Sequence, residues 1–320
     1  PAARGHIRFE SGSHAGKTRS PYSEHHLRAW GALVCSQPSV PSAQPKLLDL
    51  MRAELRARHY SVRTEKAYCL WVRRFIVFHG MKHPGDMAED EINAYLTHLA
   101  VDVGVSASTQ TQALSALLFL YRYVLGIDLG SLGQVVRARR PEHLPVVMTR
   151  AEVRAVLAQL TGEHRLAAGV MYGCGLRLSE CLRLRVQDID FGANEILVRN
   201  GKGAKDRVTM LPEKLKEPLR AQLRRAQAVH REDLAAGWGR VMLPGALDRK
   251  YPSAAAEWRW QWVFPQERRW RDMRTGAQGR HHMHATVLQR AVKDAVKRAG
   301  VQKNVGCHTF RHSFATHLLE

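Results

Sequence analysis

Four residues suited to phosphate chemistry lie in three short segments of the second half of the chain. Arg177 follows two glycines in YGCGLRLSE, at the predicted start of a helix whose free amides also favour anions. Lys202 stands between two glycines in GKGAKDR, as a point charge at the predicted tip of a hairpin. His308 and Arg311 in HTFRHSFATHLL are three residues apart, so a helix projects them side by side.

This combination predicts phosphoryl transfer without a metal. Two guanidiniums can clamp the non-bridging oxygens of a phosphate in bidentate fashion. An ammonium and an imidazole can move protons to the leaving and attacking oxygens. The set therefore suits the extra charge of a pentavalent phosphorus transition state. Each motif alone is common and more often structural, whereas their order within one basic chain is more specific. The set lacks a nucleophile.

The pattern of apolar residues predicts the elements that position these groups. Helical spacing over residues 45–127 predicts a small all-α domain of four helices. Residues 128–145, rich in glycine and basic residues, are interpreted as a linker. Residues 146–320 combine helices with a small antiparallel sheet on either side of GKG. The predicted fold class is mainly α, of the α+β type, and residues 1–44 are expected to be a disordered or non-native leader.

The charge balance indicates an anionic partner. Lys plus Arg number 49 and Asp plus Glu 29, which gives a formal net charge of +20. Nucleic acid is the commonest partner of such a surplus of positive charge, because each neutralised phosphate releases condensed counterions. An anionic membrane surface is the rival, but no apolar run is long enough to span a bilayer. The five cysteines form no CxxC pair, so reduced thiols and a cytoplasmic location are expected rather than disulfides or a zinc ribbon.

GCGLRLSE, GKGAKDR and HTFRHSFATHLL resemble, in order and spacing, the three signature segments of the tyrosine recombinase family. The resemblance implies that Arg177 and Arg311 bind the scissile phosphate and that Lys202 is the general acid for the 5′-hydroxyl. It implies that His308 is the first of two active-site histidines. It also implies a helical core-binding domain and a catalytic domain that clamp duplex DNA, a homotetramer on two DNA sites, and no metal, ATP or other cofactor.

A second resemblance concerns residues 238–284, where RKYPSAAAEWRWQWVFPQ and RTGAQGRHHMHATVLQRAVKDAV are similar to the additional segment of integron integrases. Those enzymes recombine gene-cassette sites folded from a single DNA strand and recognise protruding bases. The resemblance implies that Trp260, His281 and His282 hold such bases by stacking. Ordinary core packing of these side chains is the alternative. Met273 stands where the subfamily usually has proline, so a flexible thioether replaces a rigid apolar wall.

The position of HTFRHSFATHLL just before Glu320 bears on the nucleophile. In the family, the second histidine and the attacking tyrosine lie C-terminal to this helix, so the chain is interpreted as an integron integrase truncated at its C-terminus. A catalytically inactive DNA-binding fragment is one alternative. A metal-dependent nuclease is another, but it would need clustered carboxylates. A metal cluster at His281, His282 and His284 is disfavoured because no carboxylate or cysteine lies nearby.

Overall fold

A computed structural model describes residues 46–130, 144–199, 205–273 and 275–320. Residue contacts divide the chain into two compact units, Pro1–Pro141 and Glu142–Glu320. The predicted leader and most of the predicted linker lie outside the described residues. Among the described residues, no helix is long and apolar enough to cross a membrane.

The first unit is built from helices around one apolar core. Their bounds are α1 Leu47–Ala57, α2 Val62–Phe78, α3 Glu89–Val101 and α4 Ala107–Phe119, and a π-helical segment, Leu120–Leu125, continues α4. Ser61 begins α2 as its N-cap and accepts a hydrogen bond from the Thr64 N–H at 3.1 Å, which satisfies an otherwise orphan amide. Gly126, with φ at 68°, ends the π-helical segment, because glycine adopts the left-handed region without a steric penalty.

The second unit combines helices with two small antiparallel sheets. Its helices are α5 Arg150–Ala158, α6 Gly162–Gly173, α7 Leu178–Leu182, α8 Glu213–Ala235, α9 Leu247–Lys250, α10 Ala285–Arg298 and α11 Cys307–Leu319. Its strands are β1 Ile189–Asp190, β2 Glu195–Val198, β3 Arg207–Met210, β4 Pro265–Arg271 and β5 Gln278–His282. The strand orders are β1-β2-β3 and β4-β5. Thr149 and Glu152 form a capping box at the start of α5, with bonds of 3.1 Å and 2.7 Å.

In the three-stranded sheet β1-β2-β3, burial and hydrogen bonds show which face of β3 points towards the core. On β2, Ile196 and Val198 are buried, as expected for alternating apolar residues. On β3, the apolar residues Val208 and Met210 are exposed. The alternate position Thr209 donates a hydrogen bond to the Cys174 carbonyl at 2.9 Å. The apolar alternation on β3 therefore marks its outer face, and its polar residues point towards the helices.

The β4–β5 hairpin is attached to α8 through a buried carboxylate. Asp233, whose side chain is only 3% exposed, accepts hydrogen bonds from Arg269 on β4 at 2.8 Å and from Arg280 on β5 at 2.6 Å. Burial raises the pKa of Asp233, but the hydrogen bonds and charges of the two arginines outweigh burial and lower it. The carboxylate therefore stays ionised and holds both strands. Met273 lies in the turn between these strands and is exposed.

Candidate phosphate-binding site

Arg177 is placed by a tight turn between α6 and α7. Gly175 has φ at +61°, which only glycine adopts readily, and it reverses the chain after α6. Arg177 then has extended backbone angles as the N-cap of α7. Its backbone N–H donates to Oε2 of Glu180 at 2.8 Å, and its Nη1 donates to Oε1 at 2.7 Å. One carboxylate thus fixes both the backbone and the guanidinium of Arg177.

Glu180 is the centre of an arginine cluster. Arg207 on β3 donates from Nη1 to Oε1 at 3.0 Å and from Nη2 to Oε2 at 2.7 Å. Nη1 of Arg311 lies 4.0 Å from Oε2. Burial raises the pKa of the Glu180 carboxyl, but hydrogen bonds from Arg207 and Arg177 outweigh burial and lower it to about 2. Three guanidiniums around one ionised carboxylate leave an excess of positive charge, which suits an anion.

The helix α11 brings His308 and Arg311 to this cluster. The Ser313 hydroxyl on α11 accepts a hydrogen bond from the Met148 N–H at 2.9 Å, which holds the helix against the start of the unit. Nη1 of Arg311 donates to the Gly175 carbonyl. Burial, assisted by the charge of Arg177, lowers the pKa of Arg311. Because Arg177 and Arg311 both lie within 4.0 Å of Glu180, the two predicted phosphate ligands share one site.

His308 reaches the surface beside these arginines. Partial burial of its ring, followed by the charges of His312, Arg311 and Arg177, lowers its pKa. Its ring meets that of His312 edge-on, with 4.4 Å between the centroids. A neutral imidazole near a phosphate site can accept a proton. Lys202 lies outside the described residues, so its predicted role stays a prediction.

Two residues of this cluster were missed by the sequence reasoning. Glu180 lies in YGCGLRLSE, and its spacing of three from Arg177 resembles a capping box, but no role was assigned to it from the sequence. Arg207 is the last residue of GKGAKDR. Its ion pair with Glu180 is visible only in the folded structure, where the two side chains are 2.7 Å apart. Tyr172 has a different kind of contact: its hydroxyl hydrogen-bonds Nδ1 of His317 at 2.9 Å, which gives both side chains a structural role.

A pocket beside the cluster brings together the three residues predicted to hold bases. It has a volume of about 360 Å³, and Trp260, His281 and His282 line it together with Ser179 and Glu180 of α7. Burial lowers the pKa values of His281 and His282, which favours neutral, stackable rings. The buried Nε1 of Trp260 has no hydrogen-bond partner among the described residues.

The buried side chain of Arg185 contacts the two tryptophans that line this pocket, Trp260 and Trp262. Arg185 is 7% exposed and donates to the carbonyls of Trp260 and Met242, the latter at 2.7 Å. Its guanidinium carbon lies 3.9 Å from the ring centroid of Trp262, a favourable cation–π distance. Burial lowers the pKa of Arg185 to about 10, although Asp188 opposes this.

Replacing Arg185 should lower the stability of the second unit. We expect Arg185→Met to lower the free energy of unfolding by about 2 kcal/mol, because two buried carbonyls lose their donors while the apolar volume is kept. Urea titration followed by tryptophan fluorescence measures the change. Arg183→Met is the control, since Arg183 lines the same pocket but is exposed. Equal stability of the two variants would contradict the prediction.

Three partly or fully buried histidines of the second unit should make its stability sensitive to acid. Burial lowers the pKa values of His230, His281 and His282 below the ordinary value of 6.5. The unfolded chain therefore binds more protons than the folded chain as the pH falls below about 6.5. We expect the urea midpoint to decrease between pH 7.5 and pH 5.5. The variant His281→Gln/His282→Gln should show a smaller decrease, and a midpoint that rises on acidification would refute this expectation.

The described residues contain no clustered set of metal ligands. No group of three or more histidine, cysteine, aspartate or glutamate side chains among them could hold a metal ion. His284 instead acts as the N-cap of α10, where its Nδ1 accepts a hydrogen bond from the Thr286 N–H at 3.3 Å. Its side chain therefore has a local structural role.

Comparison with known proteins identifies the family. The description "Phage integrase family" matches residues 146–320, and the N-terminal SAM-like domain of phage integrases matches residues 47–131. An integrase/recombinase from Escherichia coli is 51% identical over 286 residues, which cover 89% of this chain and 85% of that relative. The chain therefore belongs to the phage integrase family and is a site-specific DNA recombinase of the tyrosine type.

Solved structures share the fold at lower identity. The Tn1549 transposon integrase in complex with transposon right end DNA has a TM-score of 0.55 and 17% identity, and the likeness covers 85% of this chain and 86% of that one. A lambda integrase tetramer bound to a Holliday junction has a TM-score of 0.53 and 16% identity, covering 84% and 68%. This likeness confirms the mainly α, α+β fold class.

Proposed function

We propose that this recombinase is of the integron integrase type and integrates or excises gene cassettes. One observation carries the proposal: the helix α7 that holds Glu180 beside Arg177 also contributes to the pocket lined by Trp260, His281 and His282. A base displaced from the DNA strand would stack in that pocket while the neighbouring phosphate meets the arginines. The proposed DNA partners are a duplex attachment site and a cassette site folded from one strand.

The proposed reaction is a transesterification. Arg177 and Arg311 bind the two non-bridging oxygens of the scissile phosphate and neutralise the charge that develops on them. A tyrosine oxygen attacks phosphorus, its proton passing to a neutral imidazole such as His308. The 5′-oxygen leaves with a proton from Lys202. The 3′-phosphotyrosyl bond keeps the energy of the broken ester, so the exchanged 5′-hydroxyl can re-attack without ATP.

The identity of the nucleophile is part of the proposal. By resemblance to the family, we propose that the attacking tyrosine and the second histidine lie C-terminal to HTFRHSFATHLL. Tyr172 is a poor candidate because its hydroxyl is bonded to His317. Four protomers on two DNA sites, acting in the cytoplasm, complete the proposal, and a DNA-binding chain without cleavage is the second candidate.

Covalent trapping tests the reaction. A C-terminal segment bearing the family tyrosine is appended to the chain, and the protein is offered a nicked suicide DNA substrate. We expect an SDS-resistant adduct in the presence of EDTA, reduced at least about 1000-fold in Arg177→Ala because a transition-state ligand is lost. No adduct despite retained DNA binding would favour the binding-only function, and cleavage abolished by EDTA would indicate a metal-dependent nuclease.

A separate comparison tests the base-binding pocket. Trp260→Ala should weaken binding to a folded single-strand cassette site by about 1–3 kcal/mol, the usual cost of losing one stacked base. Binding to a duplex without protruding bases should change little. Gel-shift titrations of both DNAs at one salt concentration measure the two affinities. Equal loss on both DNAs would mean that Trp260 contributes only to packing.

A further inference from the structure

The strongest unassigned feature is the bidentate ion pair between Arg207 and Glu180. Arg207 covers both carboxylate oxygens, at 3.0 Å and 2.7 Å. Neither the sequence motifs nor the proposed reaction requires a second arginine on this carboxylate. The side chains differ in exposure: that of Glu180 is 6% exposed and that of Arg207 is 32% exposed.

Glu180 has three guanidiniums within reach and only two oxygens. Arg177 and Arg207 both donate hydrogen bonds to Glu180, and Nη1 of Arg311 lies 4.0 Å from its Oε2. A carboxylate that lost its bidentate partner would have lone pairs to satisfy in a poorly hydrated place, and such a group binds the nearest cation. In the part of the chain that the structure describes, the remaining cation within 4.0 Å of this carboxylate is Arg311. Capture by Glu180 would turn Arg311 away from a phosphate.

We propose that Arg207 is a positioning residue that saturates Glu180 and thereby keeps Arg311 and the outer nitrogens of Arg177 available for the scissile phosphate. This inference rests on the proposed role of Arg177 and Arg311. It assigns Arg207 no contact with the phosphate. A bidentate guanidinium is required for this purpose because an ammonium cannot cover two oxygens of a carboxylate with fixed geometry.

The test uses inorganic phosphate as the probe on the 320-residue chain. Binding is followed at the side-chain Nε–H NMR signals of Arg177 and Arg311, so that phosphate bound elsewhere on the basic surface does not contribute. We expect Arg207→Gln to weaken phosphate binding at these two signals about tenfold, the effect of losing one charged hydrogen-bond arrangement. Arg220→Gln is the matched control, because Arg220 forms an exposed pair with Glu217, and it should leave the affinity unchanged.

A double-mutant cycle separates positioning from direct attraction. With Glu180→Gln there is no carboxylate left to capture Arg311, so adding Arg207→Gln should change the phosphate affinity less than about twofold. A tenfold loss that persists in the Glu180→Gln background would overturn the inference, since Arg207 would then act on the phosphate itself. Wild-type affinity in Arg207→Gln would overturn it as well.

Two further outcomes complete the test. Arg207→Lys keeps the positive charge, so this variant should bind phosphate with an affinity between those of the unsubstituted chain and Arg207→Gln. If circular dichroism shows that Arg207→Gln is unfolded, the phosphate affinity of Arg207→Lys is compared with that of the unsubstituted chain instead. Full affinity in Arg207→Lys would contradict the requirement for a bidentate partner. If the unsubstituted chain shows no phosphate binding at Arg177 and Arg311, the proposed function fails rather than the role of Arg207 alone.

Discussion

Gly175→Ala is expected to lower the free energy of unfolding by about 3 kcal/mol and to disable the phosphate site. A Cβ at this position would lie 2.4 Å from the Phe314 ring, far inside van der Waals contact, and crowding of this kind costs about 1–3 kcal/mol. The φ of +61° adds about 1–2 kcal/mol for any residue with a Cβ. Phe314 and Arg311 both belong to α11, so displacement of the ring also moves the guanidinium. Urea unfolding and phosphate titration measure the two effects.

Gly300→Ala separates backbone strain from crowding. Gly300 has φ at +67°, and a Cβ there would meet nothing within 4 Å. We expect it to cost only about 1 kcal/mol and to leave phosphate binding unchanged. If both alanine variants lose the same stability, the contact between Gly175 and Phe314 does not hold α11, and the prediction fails.

Glu180→Ala is the second substitution with a large expected effect. It removes the carboxylate that Arg177 and Arg207 share, and breaking a buried ion pair from one side costs about 3–5 kcal/mol. The guanidiniums keep about a third of their exposure, so solvent relieves part of the repulsion and we expect about 3 kcal/mol. The tyrosine-bearing chain should also form adduct more slowly, because Arg177 loses its anchor.

An exposed pair provides the comparison for this second prediction. Glu217→Ala removes a carboxylate that pairs with Arg220 on the surface of α8, where the glutamate side chain is 73% exposed. The expected change is within about 0.5 kcal/mol. A loss at Glu180 no larger than that at Glu217 would mean that the arginine cluster is held by other contacts.

Local spacing was sufficient to predict where the charged residues of the motifs stand. The structure places Arg177 at the start of α7 and His308 and Arg311 on one helix, as that spacing indicates, while their catalytic roles stay predictions. The fold class followed from apolar periodicity, which depends on neighbours within a few residues. These are short-range properties, and the sequence alone contains them.

The partners of these residues could not be predicted in the same way. Arg207 and Glu180 are 27 residues apart, and Arg185 and Trp260 are 75 apart. Which carboxylate or carbonyl a guanidinium meets depends on how helices and sheets pack, and no local pattern records that choice. The alternation of Val208 and Met210 on β3 likewise does not show which face points towards the core, and the structure leaves both side chains exposed.

The attachment of the β4–β5 hairpin constrains how this protein can evolve. Asp233 on α8 holds one arginine from each strand, so a neutral residue at 233 would leave the partly buried Arg280 and the more exposed Arg269 without their shared carboxylate. Lineages that change this position should therefore show compensating changes at Arg269 and Arg280, and the three positions should covary. The side chain of Met273 in the turn between these strands is exposed, so we expect substitutions at this position to need no compensating change at Asp233.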